Sequence, residues 1–126
     1  MRNGIFIGGT STEIGKTLLS ALIMIAAKDA GLPVRYYKPI QTGEDSDCDT
    51  VKKLADLKEE IIIRPSYFAR QPMAAYRAAQ LEKRPIDVEK ILQDWEKLRS
   101  YYCVVEGGGG LLNPIRKDYY IKTLLT

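Results

Sequence analysis

The sequence contains no histidine and only two cysteines, Cys48 and Cys103, which lie far apart in the chain. Without histidine, the chain cannot build the Cys–His sets that bind zinc or that form a cysteine nucleophile. The absence of histidine also removes the side chain that most often serves as a general base near neutral pH. Any catalysis must therefore rely on lysines, carboxylates, hydroxyls and backbone dipoles, which favours chemistry on phosphate groups.

Long apolar runs and long runs of one charge are missing as well. No apolar run reaches the roughly 18 residues that a membrane-spanning helix needs, and the net charge of +3 comes without a cluster of lysines and arginines. Membranes and nucleic acid are therefore not expected as partners, and a cytoplasmic location is predicted. A length of 126 residues suits one small domain, so we predict a single domain over residues 1–126.

The most informative stretch lies near the start of the chain. An apolar strand at residues 5–7 leads into a loop that ends in Gly15-Lys16-Thr17 at the start of a predicted helix. Such a loop binds phosphate, because glycines let backbone N–H groups turn inward and the helix directs its positive end at the same point. We expect Lys16 to hold phosphate oxygens and the Thr17 hydroxyl to bind Mg²⁺.

Two features of this loop are unusual. The common pattern G-x-x-x-x-G-K-[ST] would place its first glycine at position 10, which is Thr10, whereas Gly9 stands one residue earlier. The loop also contains Glu13, a carboxylate that would repel phosphate unless a cation or an amine lies beside it. Glu13 therefore indicates an amine substrate or a magnesium ion nearby.

Two further charged side chains end predicted strands. Lys38 ends a predicted strand that begins at Val34, and Glu106 ends an apolar strand that begins at Tyr102. Strand, loop, helix and strand form a βαβ unit, and ligands bind beyond the carboxyl ends of the parallel strands in such units. We therefore expect Lys38, and Thr42 in the turn that follows it, on the same rim as the phosphate-binding loop. The glycines after Glu106 would allow substrate or backbone to approach closely.

The remaining segments predict helices around a small sheet. The helix after the loop is expected to be buried, because apolar residues recur from Leu18 to Ala26 at helical spacing. The isoleucines at 61–63 are interpreted as a buried extended linker, and residues 118–126 as the start of an amphipathic helix. The chain then has three predicted strands, which begin near residues 5, 34 and 102.

Several of these segments resemble the dethiobiotin synthetase family. Residues 9–17 reproduce the family's loop, G-T-x-T-E-V-G-K-T, including the early glycine and the glutamate. The family's Y-K-P motif, followed by a hydroxyl residue and a glycine, is matched by residues 37–39 and by Thr42-Gly43. Ser46-Asp47 ahead of a helix and Val105-Glu106-Gly107 continue the match. The resemblance covers the N-terminal half of the family's length.

The resemblance implies a P-loop NTPase-like fold, which is a three-layer α/β sandwich with a mainly parallel sheet, truncated relative to the family. It also implies an ATP- and Mg²⁺-dependent ligase of biotin biosynthesis. One amine of 7,8-diaminononanoate takes up CO₂ as a carbamate, ATP phosphorylates the carbamate to a carbamic-phosphoric anhydride, and the second amine closes the ureido ring of dethiobiotin with loss of phosphate. Because family members are homodimers, we expect a homodimer or a complementary C-terminal half. Truncation would leave the strand before the phosphate-binding loop with an unpaired apolar edge, so we expect no stable active monomer.

The resemblance also implies roles for individual residues. By position, Thr17, Asp47 and Glu106 look like Mg²⁺ ligands. The phosphates of ATP are expected to contact Gly9, Thr12, Glu13, Ile14, Gly15, Lys16 and Thr17. The diamine or its carbamate is expected to contact Thr12, Lys38 and Thr42, and the predicted catalytic residues are Lys38, Lys16 and Thr12. Residues 71–73 read Gln-Pro-Met where the family often has Ser-Pro-His, so this chain has no counterpart of that histidine.

Two other classes of protein share a similar loop. One is the cobyrinate a,c-diamide synthase-like amidotransferase domain, against which Thr12-Glu13 and Tyr37-Lys38-Pro39 argue. The other is a non-catalytic partition-type or interaction module. Partition ATPases use a second lysine early in the loop, where this chain has Gly8-Gly9-Thr10.

Overall fold

The computed structural model describes residues 4–9, 15–108, 114–117, 119, 120 and 123. Within these ranges no helix is long and apolar enough to cross a membrane. In chain order the elements are β1 (Gly4–Ile7), α1 (Gly15–Asp29), β2 (Val34–Tyr37), β3 (Ile40–Thr42), α2 (Asp47–Leu54), a 3₁₀ turn (Glu59–Ile61), β4 (Ile62–Ile63), β5 (Tyr67–Ala69), α3 (Ala75–Glu82), α4 (Val88–Glu96), β6 (Tyr102–Glu106), β7 (Pro114–Arg116) and β8 (Tyr119–Tyr120).

The main sheet has four parallel strands in the order β1-β6-β2-β4. Ile7 at the end of β1 lies opposite Glu106 at the end of β6, and Tyr37 at the end of β2 lies opposite Val105. The carboxyl ends of these three strands therefore meet at one edge of the sheet. The βαβ unit and the mainly parallel sheet predicted from the sequence are confirmed.

Helices cover both faces of this sheet, because successive strand residues point to opposite sides. One face packs against α1 and α2 through a core that contains Ile7, Met24, Tyr36, Val51 and Val104. The other face packs against the end of α4 through Tyr37, Trp95, Leu98, Cys103 and Val105. This is the three-layer α/β arrangement that was expected.

A second, two-stranded parallel sheet joins β3 and β5. Residues 41–43 were predicted to form a turn, but Gln41 and Thr42 belong to β3. The turn comes at Gly43, whose φ of +86° is a left-handed conformation that residues with a Cβ rarely adopt. Helix α3 packs on this sheet, and Ile115 of β7 is fully buried in the same core.

Two other segments differ from the expectation. Ile62–Ile63 are strand β4 rather than a linker, since they pair in parallel with residues 36–37 of β2. Tyr119–Tyr120, which were expected in a helix, form β8 and pair antiparallel with β7. Pairing with a neighbouring strand outweighs the local pattern in both places. Of the rest of segment 118–126, only Thr123 is described, and it is helical.

Helix α1 is half-exposed, not buried as predicted. Leu18, Leu19 and Leu22 are 46–54% exposed. The face that packs on the sheet includes Ser20, Ala21, Met24 and Ala27. Three of these four side chains are small, so the helix can lie close to the strands, and the apolar spacing alone did not distinguish this face from the leucine face.

The exposure pattern of α1 makes a testable prediction. Met24→Ala should lower the free energy of unfolding by about 2–5 kcal/mol, because Met24 is 2% exposed and its truncation leaves a cavity. Leu22→Ala on the same helix is the matched control and should cost far less, since Leu22 is 54% exposed. Urea denaturation measures both, and equal losses would show that the leucine face is covered in solution.

Candidate functional site

Glu106 is a carboxylate with 1% exposure at the carboxyl end of β6. Its two oxygens accept hydrogen bonds from different elements. Thr17 Oγ1 of α1 donates to Oε1 at 2.8 Å, and the Tyr36 hydroxyl of β2 donates to Oε2 at 2.6 Å. Burying an ionised carboxylate is costly unless hydrogen bonds and opposite charge offset the lost hydration. Glu106 is therefore the centre of a polar cluster built from α1, β2 and β6.

Lys38 supplies positive charge to this cluster. Its Nζ lies 3.5 Å from Glu106 Oε1 and also pairs with Asp47 Oδ2 in the first turn of α2. The side chain of Lys38 is 6% exposed and that of Asp47 is 28% exposed. The ammonium thus lies between two carboxylates at the edge of the cluster. The structure brings together three residues that the sequence analysis singled out separately.

Lys16 and Thr17 begin α1 beside this cluster and are 9% and 4% exposed. A Cβ placed on Gly9 would lie 3.4 Å from Lys16 Cδ and 3.6 Å from its Nζ. The lysine side chain therefore folds back over the strand end, where glycine leaves it room. The backbone N–H groups of the first helical turn add positive potential at the same place, which suits an anion.

These side chains line an open cavity of about 1250 Å³. Cofactor and substrate sites usually occupy roughly 300–1000 Å³, so the cavity has room for a nucleotide phosphate group and a second ligand. Thr42, half-buried at the end of β3, lies on its wall as predicted. The residues that line it include Lys16, Thr17, Lys38, Thr42, Asp47, Arg70, Met73 and Glu106.

Gln41 holds the loop that connects Thr42 of β3 to Asp47 of α2, a role that the sequence analysis missed. Its side-chain Nε2 donates to the carbonyl oxygens of Thr42 at 2.9 Å and Asp45 at 3.0 Å, and its Oε1 accepts from the N–H of Asp47 at 3.3 Å. Ser46 then caps α2 by accepting from the N–H of Asp49. The one signal in the sequence was an amide side chain within a turn-forming segment.

Tyr36 was also missed as a site residue. Burial raises the pKa of its phenol far above the usual value, and the neighbouring Glu106 carboxylate raises it further, so the hydroxyl remains a neutral donor. The sequence offered one signal, two adjacent tyrosines in a strand whose alternate residues point to opposite faces. The hydroxyl of the other, Tyr37, meets Ser66.

The glycine segment after β6 begins with a packing constraint. A Cβ on Gly107 would lie 2.6 Å from Phe6 Cζ, and the N–H of Gly107 donates to Ile7 O at 2.9 Å. At Gly107, the missing side chain therefore makes room for Phe6 of β1 rather than for substrate. Gly109 and Gly110 lie outside the described residues.

Three predicted site residues, Thr12, Glu13 and Ile14, also lie outside the described residues. Their contacts with phosphate or substrate stay predictions. Of the predicted loop residues, the structure therefore places Gly9, Gly15, Lys16 and Thr17.

Thr17 and Glu106 offer oxygen atoms that could hold a metal ion. Mg²⁺ prefers oxygen ligands and is usually held by one or two carboxylates together with phosphate oxygens and water. Thr17 Oγ1 and Glu106 Oε1 lie 2.8 Å apart, and the Lys38 ammonium links Glu106 to Asp47. In the part of the chain that the structure describes, no three His, Cys, Asp or Glu residues form a metal cluster of their own. The donor set therefore fits Mg²⁺ shared with a phosphate ligand.

Neither cysteine is suited to nucleophilic chemistry. Cys48 lies in α2 and Cys103 in β6, and both are buried. Burial raises the pKa of each thiol to about 11, so the thiolate fraction at neutral pH is very small.

The position of Lys38 makes a testable prediction about stability. Lys38→Met removes the ammonium that lies between two carboxylates and leaves Glu106 buried without its cation. We expect the free energy of unfolding, measured in urea, to fall by about 3 kcal/mol.

Lys52→Met serves as the control, because Lys52 pairs with Glu59 at the surface and such pairs contribute little. Its urea midpoint should barely change. If both variants lose the same stability, Lys38 does not compensate the buried carboxylate.

Two comparisons relate this chain to known proteins. A protein-family model described as AAA domain matches residues 3–126. Curated proteins named ATP-dependent dethiobiotin synthetase match as well. The protein of Brachyspira hyodysenteriae is 39% identical over 99% of this chain and 59% of its own length. That of Leptospira interrogans is 34% identical over 90% of this chain and 51% of its own length. That of Methanococcus vannielii is 35% identical over 96% of this chain and 58% of its own length.

The chain thus spans 51–61% of the length of the curated relatives it matches. Lys16, Thr17, Lys38 and Glu106 all fall in the range that the family model covers. The chain therefore belongs to the AAA domain family, and its sequence matches part of the dethiobiotin synthetases.

Proposed function

We propose that this chain forms the phosphate-binding part of an ATP- and Mg²⁺-dependent dethiobiotin synthetase. The observation that carries the proposal is the cluster at the carboxyl edge of a parallel sheet, in which Thr17 and Lys38 contact the buried Glu106 and Lys38 also pairs with Asp47. Lys16 at the start of α1 lies on the same cavity. The names of the curated relatives support the assignment of this cavity to ATP and a ligase reaction.

The proposed reaction joins 7,8-diaminononanoate and CO₂ at the expense of ATP. One amine adds to CO₂ and loses a proton, which gives a carbamate. A carbamate oxygen takes the terminal phosphoryl group of ATP, forming a carbamic-phosphoric anhydride and ADP. The second amine then attacks the carbamate carbon and loses a proton, phosphate leaves, and the ureido ring of dethiobiotin is closed.

The absence of histidine is compatible with this chemistry. Phosphoryl transfer depends on positioning and electrostatic stabilisation more than on a strong general base. Lys16 supplies a compact positive charge for the phosphate oxygens, and Lys38, which lies beside Glu106, supplies a second one on the same cavity. Because both lysines are nearly excluded from water, their charges are weakly screened.

Thr17 and Glu106 are the residues that would hold Mg²⁺, with Asp47 as a further ligand. The ion would neutralise charge on the phosphate groups of ATP. Thr17 would keep its hydroxyl directed at the cation through the first turn of α1, and Glu106 would offer Oε1 from the end of β6. Lys38 keeps Asp47 next to this position.

The substrate side of the cavity is assigned to Lys38 and Thr42, together with Thr12 of the loop. Lys38 would stabilise the negative carbamate and the phosphoryl group that it receives. Thr42 lies at the end of β3, held through Gln41, and would contact the diamine or its carbamate. Contacts by Thr12 and Glu13, a homodimeric state and a cytoplasmic location belong to the same proposal.

The phosphate-binding assignment is tested by Lys16→Ala. Hydrogen bonds to charged groups contribute about 1.5–3 kcal/mol, so the variant should bind ADP roughly 10- to 100-fold more weakly by isothermal titration calorimetry.

The control is Lys28→Ala, which removes the same charge from the exposed end of the same helix. It should leave ADP affinity unchanged. Equal affinities of both variants and the unmodified chain would refute the assignment of the loop.

A further inference from the structure

Tyr36 contacts Glu106 from inside the protein core rather than from the cavity. Its side chain is fully buried and packs with Ile7, Met24 and Val51 on the face of the sheet that α1 and α2 cover. The hydroxyl donates to Glu106 Oε2 at 2.6 Å. A ring fixed by packing on all sides places its hydroxyl at a fixed point, which an exposed tyrosine would not do.

The register of the strands explains how Tyr36 reaches this carboxylate. Tyr36 lies opposite Val104, two residues before Glu106 on the neighbouring strand β6. Residues at positions i and i+2 of a strand point to the same face, so the tyrosine ring runs along β6 toward the carboxyl end. The hydroxyl therefore reaches Glu106 at Oε2, whereas Thr17 donates to Oε1.

The two oxygens of Glu106 consequently have different surroundings. Oε2 accepts from Tyr36, and Oε1 accepts from Thr17 and lies 3.5 Å from Lys38 Nζ. Rotation of the carboxylate would break one of these hydrogen bonds. Carboxylates that bind metal ions commonly have such hydrogen bonds on the oxygen that does not face the ion, and these bonds fix the direction of the other oxygen.

We propose that Tyr36 is a positioning residue, whose hydroxyl holds Glu106 Oε2 so that the carboxylate presents only Oε1 to a cation beside Thr17. This inference rests on the proposed function, because it assigns one task within the same site. Tyr36 touches neither the phosphate nor the metal. Its effect acts entirely through the orientation of Glu106.

The adjacent tyrosine provides a matched control. Tyr37 is also buried, at 1% exposure, and lies on the same strand, but its hydroxyl meets Ser66 on the opposite face of the sheet. Tyr36→Phe and Tyr37→Phe each remove one buried hydroxyl and keep the ring. Only the first removes a contact to Glu106.

The experiment measures ADP binding to the chain by isothermal titration calorimetry at a series of Mg²⁺ concentrations and in EDTA. We expect Tyr36→Phe to raise the Mg²⁺ concentration needed for half-maximal enhancement of ADP binding by roughly tenfold. Affinity for ADP in EDTA should stay unchanged. Tyr37→Phe should change neither quantity, and urea denaturation checks that both variants fold.

A second measurement separates positioning from general packing. If Tyr36 acts through Glu106, adding Tyr36→Phe to Glu106→Gln should change the Mg²⁺ concentration needed for half-maximal enhancement little further. In that double variant, residue 106 no longer carries the charged carboxylate that the Tyr36 hydroxyl orients. Additive effects of the two substitutions would overturn the inference. Glu106→Gln also keeps an acceptor for the tyrosine hydroxyl, so it tests the link without leaving that hydroxyl unpaired.

The outcomes distinguish this inference from the proposed function. If Mg²⁺ does not change the affinity of the unmodified chain for ADP, the proposed function is wrong, and the role inferred for Tyr36 is wrong as well. If Mg²⁺ strengthens ADP binding but Tyr36→Phe and Tyr37→Phe require the same Mg²⁺ concentration, the role of Tyr36 alone is overturned. A matched weakening of ADP binding in EDTA and in Mg²⁺ would also overturn it, since that pattern indicates a packing defect.

Discussion

The structure depends on the partners that surround one buried carboxylate. Glu106 has 1% exposure, and such a group is tolerated only when donors and a cation replace its lost water. The donors come from α1 and β2, and the cation, Lys38, follows β2 directly. These partners meet only if β6 lies next to β2 and α1 crosses that face of the sheet. The charge of Glu106 thus links the packing of the core to the chemistry of the cavity.

The same arrangement divides the residues of β2 between two tasks. Tyr36 and Tyr37 are adjacent and equally buried, yet one hydroxyl reaches the polar cluster and the other reaches Ser66, which donates in turn to Asp94 of α4. Alternation along the strand produces this division without any difference in residue type. Polar atoms on both faces find partners, and within the described residues no buried side-chain oxygen or nitrogen is left without a hydrogen bond.

The sequence predicted those parts of the fold and the site that depend on the order of residues within one short segment. The loop before α1 was recognised from an apolar strand that leads into Gly15-Lys16-Thr17 at the start of a helix. The strands that end at Lys38 and Glu106 were recognised as short runs with a charged residue at the end. The sequence did not predict contacts that depend on pairing between distant segments. Strand β4 is only two residues long, and the roles of Tyr36 and Gln41 follow from neighbours that are not close in sequence. The exposed leucines of α1 show the same limit, since apolar spacing does not reveal which face meets the sheet.

The central claim is that the junction of β1, β6 and α1 holds a metal ion and a phosphate group together. The most direct test is to add Mn²⁺ and ADP to the ¹⁵N-labelled chain and to record which backbone amide signals are broadened by the paramagnetic ion. The account predicts the strongest broadening at Thr17, Glu106 and Gly107, and only when ADP is present. Broadening that leaves the Thr17 and Glu106 signals unchanged, or broadening that is the same with and without ADP, would contradict it.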